Sequence, residues 1–279
     1  MFAQEKFAGN QLAVVTNASA LSGAEMQKIA NEFHFSETTF VISQSGNGYG
    51  IRIFTPSTEV PFAGHPILGT AYIIRKYVEK RTVEQLNLIL KLGQVPVFFD
   101  GEVAWMQQKP PQFGKTFSVK FFEDLLNLST SDFDTEYPIQ RVSTGLPFII
   151  VPLKSLSSVK KAKINHNFMP QLIKRAKAGI LLFCPQTYSK TNKLNVRVFV
   201  DAFGIPEDPG TGSGNGCLAA YLSKYQYFGN SDLEISVEQG YEINRPSILY
   251  LKTKANKETI LIQVGGQVRL VAKGELLER

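Results

Sequence analysis

The chain carries a diverged internal duplication. Arg52-Ile53-Phe54 returns as Arg197-Val198-Phe199, and Pro61 and Pro206 keep the same offset. Gly69-x-Ala71-Tyr72 is matched by Gly216 through Ala220-Tyr221, with a few residues inserted between. Each copy reads as a strand, a polar loop with Gly and Pro, then a helix. A duplication of this kind predicts two similar halves of mixed α and β structure facing each other. It also predicts two helix N-termini converging on the cleft between them.

The local pattern agrees. Ser22 and Glu25 form a capping box ahead of Met26, Ile29, Ala30 and Phe33, a helical spacing. Strands are expected at 37–42, 50–54, 87–92, 95–99 and 103–107. A second helix is expected at 67–78 behind Pro66. Residues 108–118, with their Pro-Pro pair, read as a linker. Beyond it a short helix near 121–126 and a strand at 147–151 are expected, then a basic helix ahead of strand 179–183. Strand 195–200, a helix from Cys217 to Tyr225, and strands at 233–237, 247–252, 259–264 and 267–272 close the chain.

Composition removes several classes. With 43% hydrophobic and 19% charged residues the chain is an ordinary globular one, neither disordered nor collagen-like. Two cysteines, Cys184 and Cys217, support no disulfide framework and no Cys-rich zinc site, and read as free buried thiols. His34, His65 and His166 lack metal-ligand spacing, so no metal is expected. No apolar run of about 18 residues predicts a membrane helix. MFAQEKFAGNQLAVV lacks a basic stretch, an apolar run and a cleavage site, so the cytoplasm is the expected compartment.

The net charge of +6 is local. Lys154, Lys160, Lys161, Lys163, Lys174, Arg175 and Lys177 fall in one segment without an acid, and the remainder is near neutral. The segment reads as a solvated helix face, with a phosphate-binding patch as the alternative. Aromatic interleaving of the single-strand-binding kind is lacking, so nucleic acid is not the expected partner.

Two loops carry the chemistry. In VPFAGHPILGT, His65 stands at a helix start, where backbone N–H groups attract an anion and an imidazole can exchange a proton. A capping or packing histidine is the alternative. In EDPGTGSGNGC, Gly210, Gly212, Gly214 and Gly216 alternate, so the backbone can approach a ligand closely. Asp208 precedes them, either as a structural cap or as a partner for an amine or hydroxyl. Gly214-Asn-Gly216-Cys-Leu-Ala219 fits the loose dinucleotide pattern, but a long loop separates it from the strand ending near Val200. No phosphate-loop motif occurs. Glu37 opens a strand between Phe35 and Phe40. Carboxylates in apolar surroundings suit acid–base work near neutrality, whereas an exposed strand-edge Glu is the plain alternative.

Together these segments resemble the PhzF-like phenazine-biosynthesis family. The resemblance rests on Phe7-x-Gly9-Asn10 followed by LAVV, Ser36-Glu37-Thr38-Thr39-Phe40, Arg52-x-Phe54-Thr55-Pro56 and PFAGHPILGTA. It continues in Ser143-Thr144-Gly145, Arg197-x-Phe199, EDPGTGSGNG, Gln239-Gly240, Arg245-Pro246-Ser247 and Val264-Gly265-Gly266.

The resemblance implies an α+β fold of the diaminopimelate epimerase-like type. It has two pseudo-repeated halves, each a curled, mostly antiparallel sheet around a central helix, with the active site in the cleft between. The halves are expected at 1–115 and 116–279, with the last strand returning to the first half. It further implies a cofactor-free homodimeric isomerase acting on a small carboxylic acid, related to trans-2,3-dihydro-3-hydroxyanthranilate isomerase. The family's acid/base glutamate falls on Glu37, and its substrate-contacting His and Asp fall on His65 and Asp208. Gly64, Gly212 and Ser213 match positions that hold the substrate, with Thr211 and Gly214 beside them. Two departures stand out: the strand ahead of Phe7 is shortened to Met1-Phe2, and Gly214 stands where Ala is common. The alternatives are an epimerase or racemase using Cys217 as one base, a catalytically idle small-molecule-binding or interaction protein, and a nucleic-acid binder using Lys154–Lys177.

Overall fold

In a computed structural model of the chain, all residues are described except 47, 80–82, 202–205, 257 and 278–279, together with the Arg175 side chain. The Arg175 part of the basic segment therefore lies outside the described residues. The first half contains β1 (Leu12–Val15), α1 (Gly23–Phe33), β2 (Glu37–Ser45), β3 (Gly48–Phe54), β4 (Glu59–Val60) and α2 (Gly64–Ile73). A π-helical turn, Ile74–Val78, extends α2, and β5 (Gln85–Leu90), β6 (Gly93–Asp100) and β7 (Val103–Gln107) follow. Next come β8 (Gln112–Phe117), α3 (Val119–Leu126), β9 (Ile139–Ser143), β10 (Pro147–Pro152), α4 (Leu156–Lys161) and α5 (Met169–Ala176). β11 (Gly179–Cys184), β12 (Leu194–Phe199), α6 (Gly212–Lys224), β13 (Leu233–Gln239), β14 (Ser247–Ala255) and β15 (Ile260–Gln267) complete the order.

Strand pairing reproduces the duplication. β1 and β2 are parallel, β2 and β3 antiparallel, β3 and β5 parallel, then β5–β6 and β6–β7 antiparallel. The same series recurs as β10–β11, β11–β12, β12–β13, β13–β14 and β14–β15. β15 then pairs antiparallel with β7, Val264 opposite Met106, and joins both series into one continuous sheet. β9 and β8 add two strands beyond β10.

Each series wraps a helix that is buried all round. Gly64 to Tyr72 of α2 and Gly212 to Ser223 of α6 are buried without exception. Their small and apolar residues leave no polar face, as a helix enclosed by a sheet requires. Ile67, Leu68, Leu218 and Tyr221 belong to one core cluster with strand residues of both series. α1 covers the outer face of the first series through Met26 and Ala30 against Phe40 and Phe54, and the Ser22–Glu25 capping box fixes its start. α3, α4 and α5 cover the second through Phe122, Val159 and Leu172 against Ile149 and Leu182. β11 is thus buried on both faces, which is why GILLFC is a continuous apolar run.

The repeated Arg-x-Phe has a repeated role. Arg52 grips Glu59 through Nε and Nη2 at 2.9 and 2.8 Å, and Arg197 grips Glu207 in the same way at 2.9 and 2.8 Å. Each guanidinium also lies over the ring two residues on, Phe54 or Phe199. The two clamps fix the start of the loops that lead to α2 and α6.

Four expectations need correction. Residues 112–117 are not linker but β8, an edge strand of exposed and half-buried residues that pairs with β9. The expected boundary at 115/116 falls inside it. The last two strands, 259–264 and 267–272, are one, β15, and 268–277 form none. The basic segment holds two short helices rather than one. α6 begins at Gly212, not Cys217. Each helical glycine costs about 1 kcal/mol against Ala, which argues for a loop. Packing overrides this, because a Cβ on Gly214 would lie 3.3 Å from the Phe148 ring and one on Gly216 2.9 Å from Gln108 Cγ.

Candidate functional site

The two central helices point their N-termini at each other. A Cβ on Gly64 would lie 3.5 Å from the Ser213 nitrogen, and one on Gly212 would lie 3.9 Å from the His65 nitrogen. Neither start carries a side-chain cap, for Ala63 cannot supply one and Thr211 is turned elsewhere. The amides of Gly64 and His65 therefore face those of Gly212, Ser213 and Gly214 across a narrow gap. Two helix dipoles and their uncapped N–H groups make that gap attractive to an anion. Phe2 closes one side. It forms no strand, but its carbonyl accepts from Ile248 N at 2.9 Å, Ala3 N donates to Gln267 O at 3.2 Å, and the buried ring lies over Gly210, Gly212 and Gly266. Met106 of β7 reaches Gly64 from below.

Glu37, His65 and Asp208 meet at this gap. Glu37 is the first residue of β2, paired with Leu12 of β1. Its Oε2 lies 3.1 Å from His65 Nε2, with side chains only 14% and 7% exposed. Neither atom has an aligned hydrogen-bond partner among the described residues, so the pair is close without being locked. Asp208 is buried, its backbone N–H donating to Val198 O at 3.0 Å. Burial raises its carboxyl above the usual carboxylate range, and the neighbouring Glu37 charge acts in the same sense. His65, the Thr211 hydroxyl and the Asn10 amide oppose that rise.

Asn10 joins the three, and sequence reasoning did not assign it to the site. Its Nδ2 donates to Asp208 Oδ1 at 2.8 Å and to Gly210 O at 3.0 Å, and lies 3.4 Å from His65 Nδ1. The amide nitrogen beside Nδ1 offers no acceptor for a proton there, which favours the neutral tautomer with Nε2–H on the Glu37 side. Arg245 fixes this corner by donating to the carbonyls of Phe7, Ala8 and Gly9. Gly9 has φ +72°, and a Cβ there would strike the Met1 carbonyl. The Gly9-Asn10 pair was therefore a signal, a forced turn delivering an amide side chain.

Thr211 and Gly214 are near the gap in different ways. The Thr211 hydroxyl donates to Asp208 Oδ2, and Gln239 Nε2 donates to Thr211 Oγ1 and to the Asp208 carbonyl at 2.9 and 2.7 Å. Gln239, also missed, accepts in turn from Thr211 N and Asn215 Nδ2. Gly214 faces Phe148 and Leu181, on the core side of α6. Cys217 is buried against Thr144 and Leu146, and burial pushes its thiol up to about 11, which keeps it protonated and unavailable as a base near neutral pH. The described lysines of the basic segment are exposed, with Lys161 paired to Asp132 at 2.6 Å and Lys160 over the Tyr188 ring. Two open depressions, beside Trp105 and Tyr250 and beside Lys252 and Gln263, contain none of the candidate residues. Among the described residues no three His, Cys, Asp or Glu side chains gather as metal ligands, and no helix is long and apolar enough to cross a membrane.

A duplicated curled sheet around two buried helices, with the candidate residues where their N-termini meet, defines the diaminopimelate epimerase-like class of fold. The sequence profile of the phenazine biosynthesis-like proteins matches residues 1–274, and the chain belongs to that family. An uncharacterized isomerase of Clostridium acetobutylicum is 34% identical, over 99% of this chain and 95% of its own length. The trans-2,3-dihydro-3-hydroxyanthranilate isomerase of Pseudomonas aeruginosa is 32% identical, over 98% and 95%. Among solved structures, the PhzF-family phenazine biosynthesis protein of Bacillus anthracis superposes with a TM-score of 0.88 at 31% identity, covering 95% of this chain and 93% of that one.

Proposed function

We propose that the protein is an isomerase that moves a proton within a small carboxylic acid, with Glu37 as the acid/base. The observation that carries this reading is the buried, unaligned approach of Glu37 to His65 at 3.1 Å, beside two facing and uncapped helix N-termini. The substrate carboxylate rests on the amides of Gly212 and Ser213. The Glu37 carboxylate then takes a proton from a carbon acidified by conjugation, and the electron pair moves into the π-system. Glu37 returns the proton to a second carbon on the same face, so atoms and charge balance and one base suffices. His65, with its proton on Nε2, donates to Glu37 when that group is the base and turns toward the substrate when it is the acid. Asp208, held by Asn10 and Thr211, orients an amine or hydroxyl of the substrate. The buried site keeps water from competing for the proton.

The chemistry of the Pseudomonas aeruginosa relative makes trans-2,3-dihydro-3-hydroxyanthranilate the first substrate to try. Steady-state rates of wild type and Glu37→Gln on it and on a panel of small unsaturated and amino acids test the reading. Loss of a general base is expected to lower kcat by roughly 10²–10⁴-fold with little change in KM. Turnover by Glu37→Gln at the wild-type rate would remove Glu37 from the role. A racemase with Cys217 as a base finds no support in the contacts and raised pKa of that thiol.

A further inference from the structure

Gln108 is the one buried amide at the end of β7 that the scheme above does not use. It follows the inward-facing Ala104 and Met106, and its backbone N–H still bonds Ile262 O at 2.8 Å, so it continues the strand's inner face. Gln108 is 7% exposed and its side chain crosses α6 at Gly216, where a Cβ would lie 2.9 Å from Cγ and 3.0 Å from Oε1. Only glycine leaves room for that crossing. Thr144 Oγ1 donates to Gln108 Oε1 at 3.4 Å, so the amide oxygen has a partner. Nε2, with two hydrogens, is buried and has no partner among the described residues.

An unmet buried donor costs stability, and such a group is expected where function requires it. Its place says what it is for. Met106, two residues earlier on the same face, touches Gly64 at the start of α2. Gly216 lies three residues after Ser213, hence on the same side of α6 and about 4.5 Å further along its axis. The free amide therefore lies on the Ser213 side of α6, about one turn beyond the helix start that faces α2.

We propose that Gln108 is a specificity-determining residue, donating from Nε2 to a hydroxyl or carbonyl oxygen carried by the substrate a few atoms from its carboxylate. This rests on the proposed isomerase reading and narrows the substrate class to oxygen-substituted acids. A site with a donor waiting for such an oxygen rejects the analogue that lacks it.

The test uses 3-hydroxyanthranilate and anthranilate, which differ by one hydroxyl, with binding by wild type, Gln108→Met and Gln108→Glu measured by calorimetry. Thermal melts and Glu37-dependent turnover are followed in parallel. Wild type is expected to prefer the hydroxylated acid by about fivefold or more, the worth of one hydrogen bond. Gln108→Met, of similar length, is expected to lose the preference and to melt close to wild type, because losing the long Thr144 contact is offset by removing an unmet donor. Gln108→Glu keeps the Thr144 contact, replaces the donor by an acceptor, and is expected to bind the hydroxylated acid most weakly. A side-chain amide resonance absent from Gln108→Met should shift when wild type binds 3-hydroxyanthranilate. Equal binding of both acids by wild type, or a preference that survives in Gln108→Met, overturns the subsite while leaving Glu37-dependent turnover intact. A lower melt of Gln108→Met with its preference retained marks Gln108 as structural. Absence of binding and of any turnover by wild type overturns the isomerase reading and the subsite with it.

Discussion

Truncating Asn10 tests how the site is held together. Asn10→Ala removes the bond to Asp208 Oδ1 at 2.8 Å and the bond to Gly210 O at 3.0 Å. The first, to a carboxylate, is worth about 1.5–3 kcal/mol and the second about 1 kcal/mol. Against this, Asn10 Oδ1 is itself buried without a partner, so its removal returns about 1 kcal/mol. The net loss is about 2 kcal/mol, or a melting temperature lower by roughly 4–8 °C for a chain of this size. The same substitution frees Asp208 and His65 from their shared anchor, so kcat/KM is expected to fall by about 10²-fold, as for a small misplacement of reacting groups. Asn10→Asp sharpens the test. It sets a second carboxylate against Asp208, and the two must then share a proton in the folded state. The folded variant binds more protons than the unfolded chain above about pH 4, so its stability falls as pH rises, more steeply than that of wild type. Urea melts of the three proteins between pH 4 and 8, with rates at each pH, give the answer. An Asn10→Ala protein that melts with wild type and keeps its kcat/KM would refute the anchoring role.

Three further outcomes follow from the same contacts. Asp208 has a raised carboxyl pKa, so the folded state holds its proton to higher pH than the unfolded chain; the stabilisation is complete below the unfolded value and is lost as pH rises through the folded one. The melting temperature of wild type minus that of Asp208→Asn should therefore decline from pH 4 to pH 7. The two arginine clamps should differ: Arg197→Met strands Glu207 in a pair about 10% exposed and should cost about 3–5 kcal/mol in urea denaturation, whereas Arg52→Met breaks a pair about one-third exposed and should cost at most about 1 kcal/mol. Cys217→Ser should change kcat by less than about twofold, because the general-base contribution of 10²–10⁴ lies elsewhere, and a larger loss would reopen the two-base alternative.

The duplication was legible because its residues do the same work twice. Arg52 and Arg197 each need a glutamate and a ring within reach, and those needs kept Arg-x-Phe recognisable in both halves. The central strands were legible for a related reason: burial on both faces leaves β3, β11 and β12 rich in apolar residues, and makes β11 a continuous apolar run. β8 was not, because an edge strand of QFGKTF has little apolar patterning and sits behind two prolines. The first turn of α6 was hidden because its glycines serve close packing that no local propensity records. Within the site, Glu37, His65 and Asp208 stood out by residue type and motif. Asn10 did not stand out as a site residue, since its bond to Asp208 spans 198 positions and only the folded chain brings the two together. Gln108 is similar: the second of two glutamines before Lys-Pro-Pro carries no signal until Gly216 is seen lying beneath it.

The central claim is that Glu37 carries a proton between two carbons of one bound acid. Wild type and Glu37→Gln incubated in D₂O with trans-2,3-dihydro-3-hydroxyanthranilate, followed by mass spectrometry and NMR, test it most directly. The account predicts an isomeric product from wild type whose newly protonated carbon carries mainly the substrate's own hydrogen, and no product from Glu37→Gln on the same timescale. Equal product from both proteins, or a newly protonated carbon filled by solvent deuterium, would contradict it.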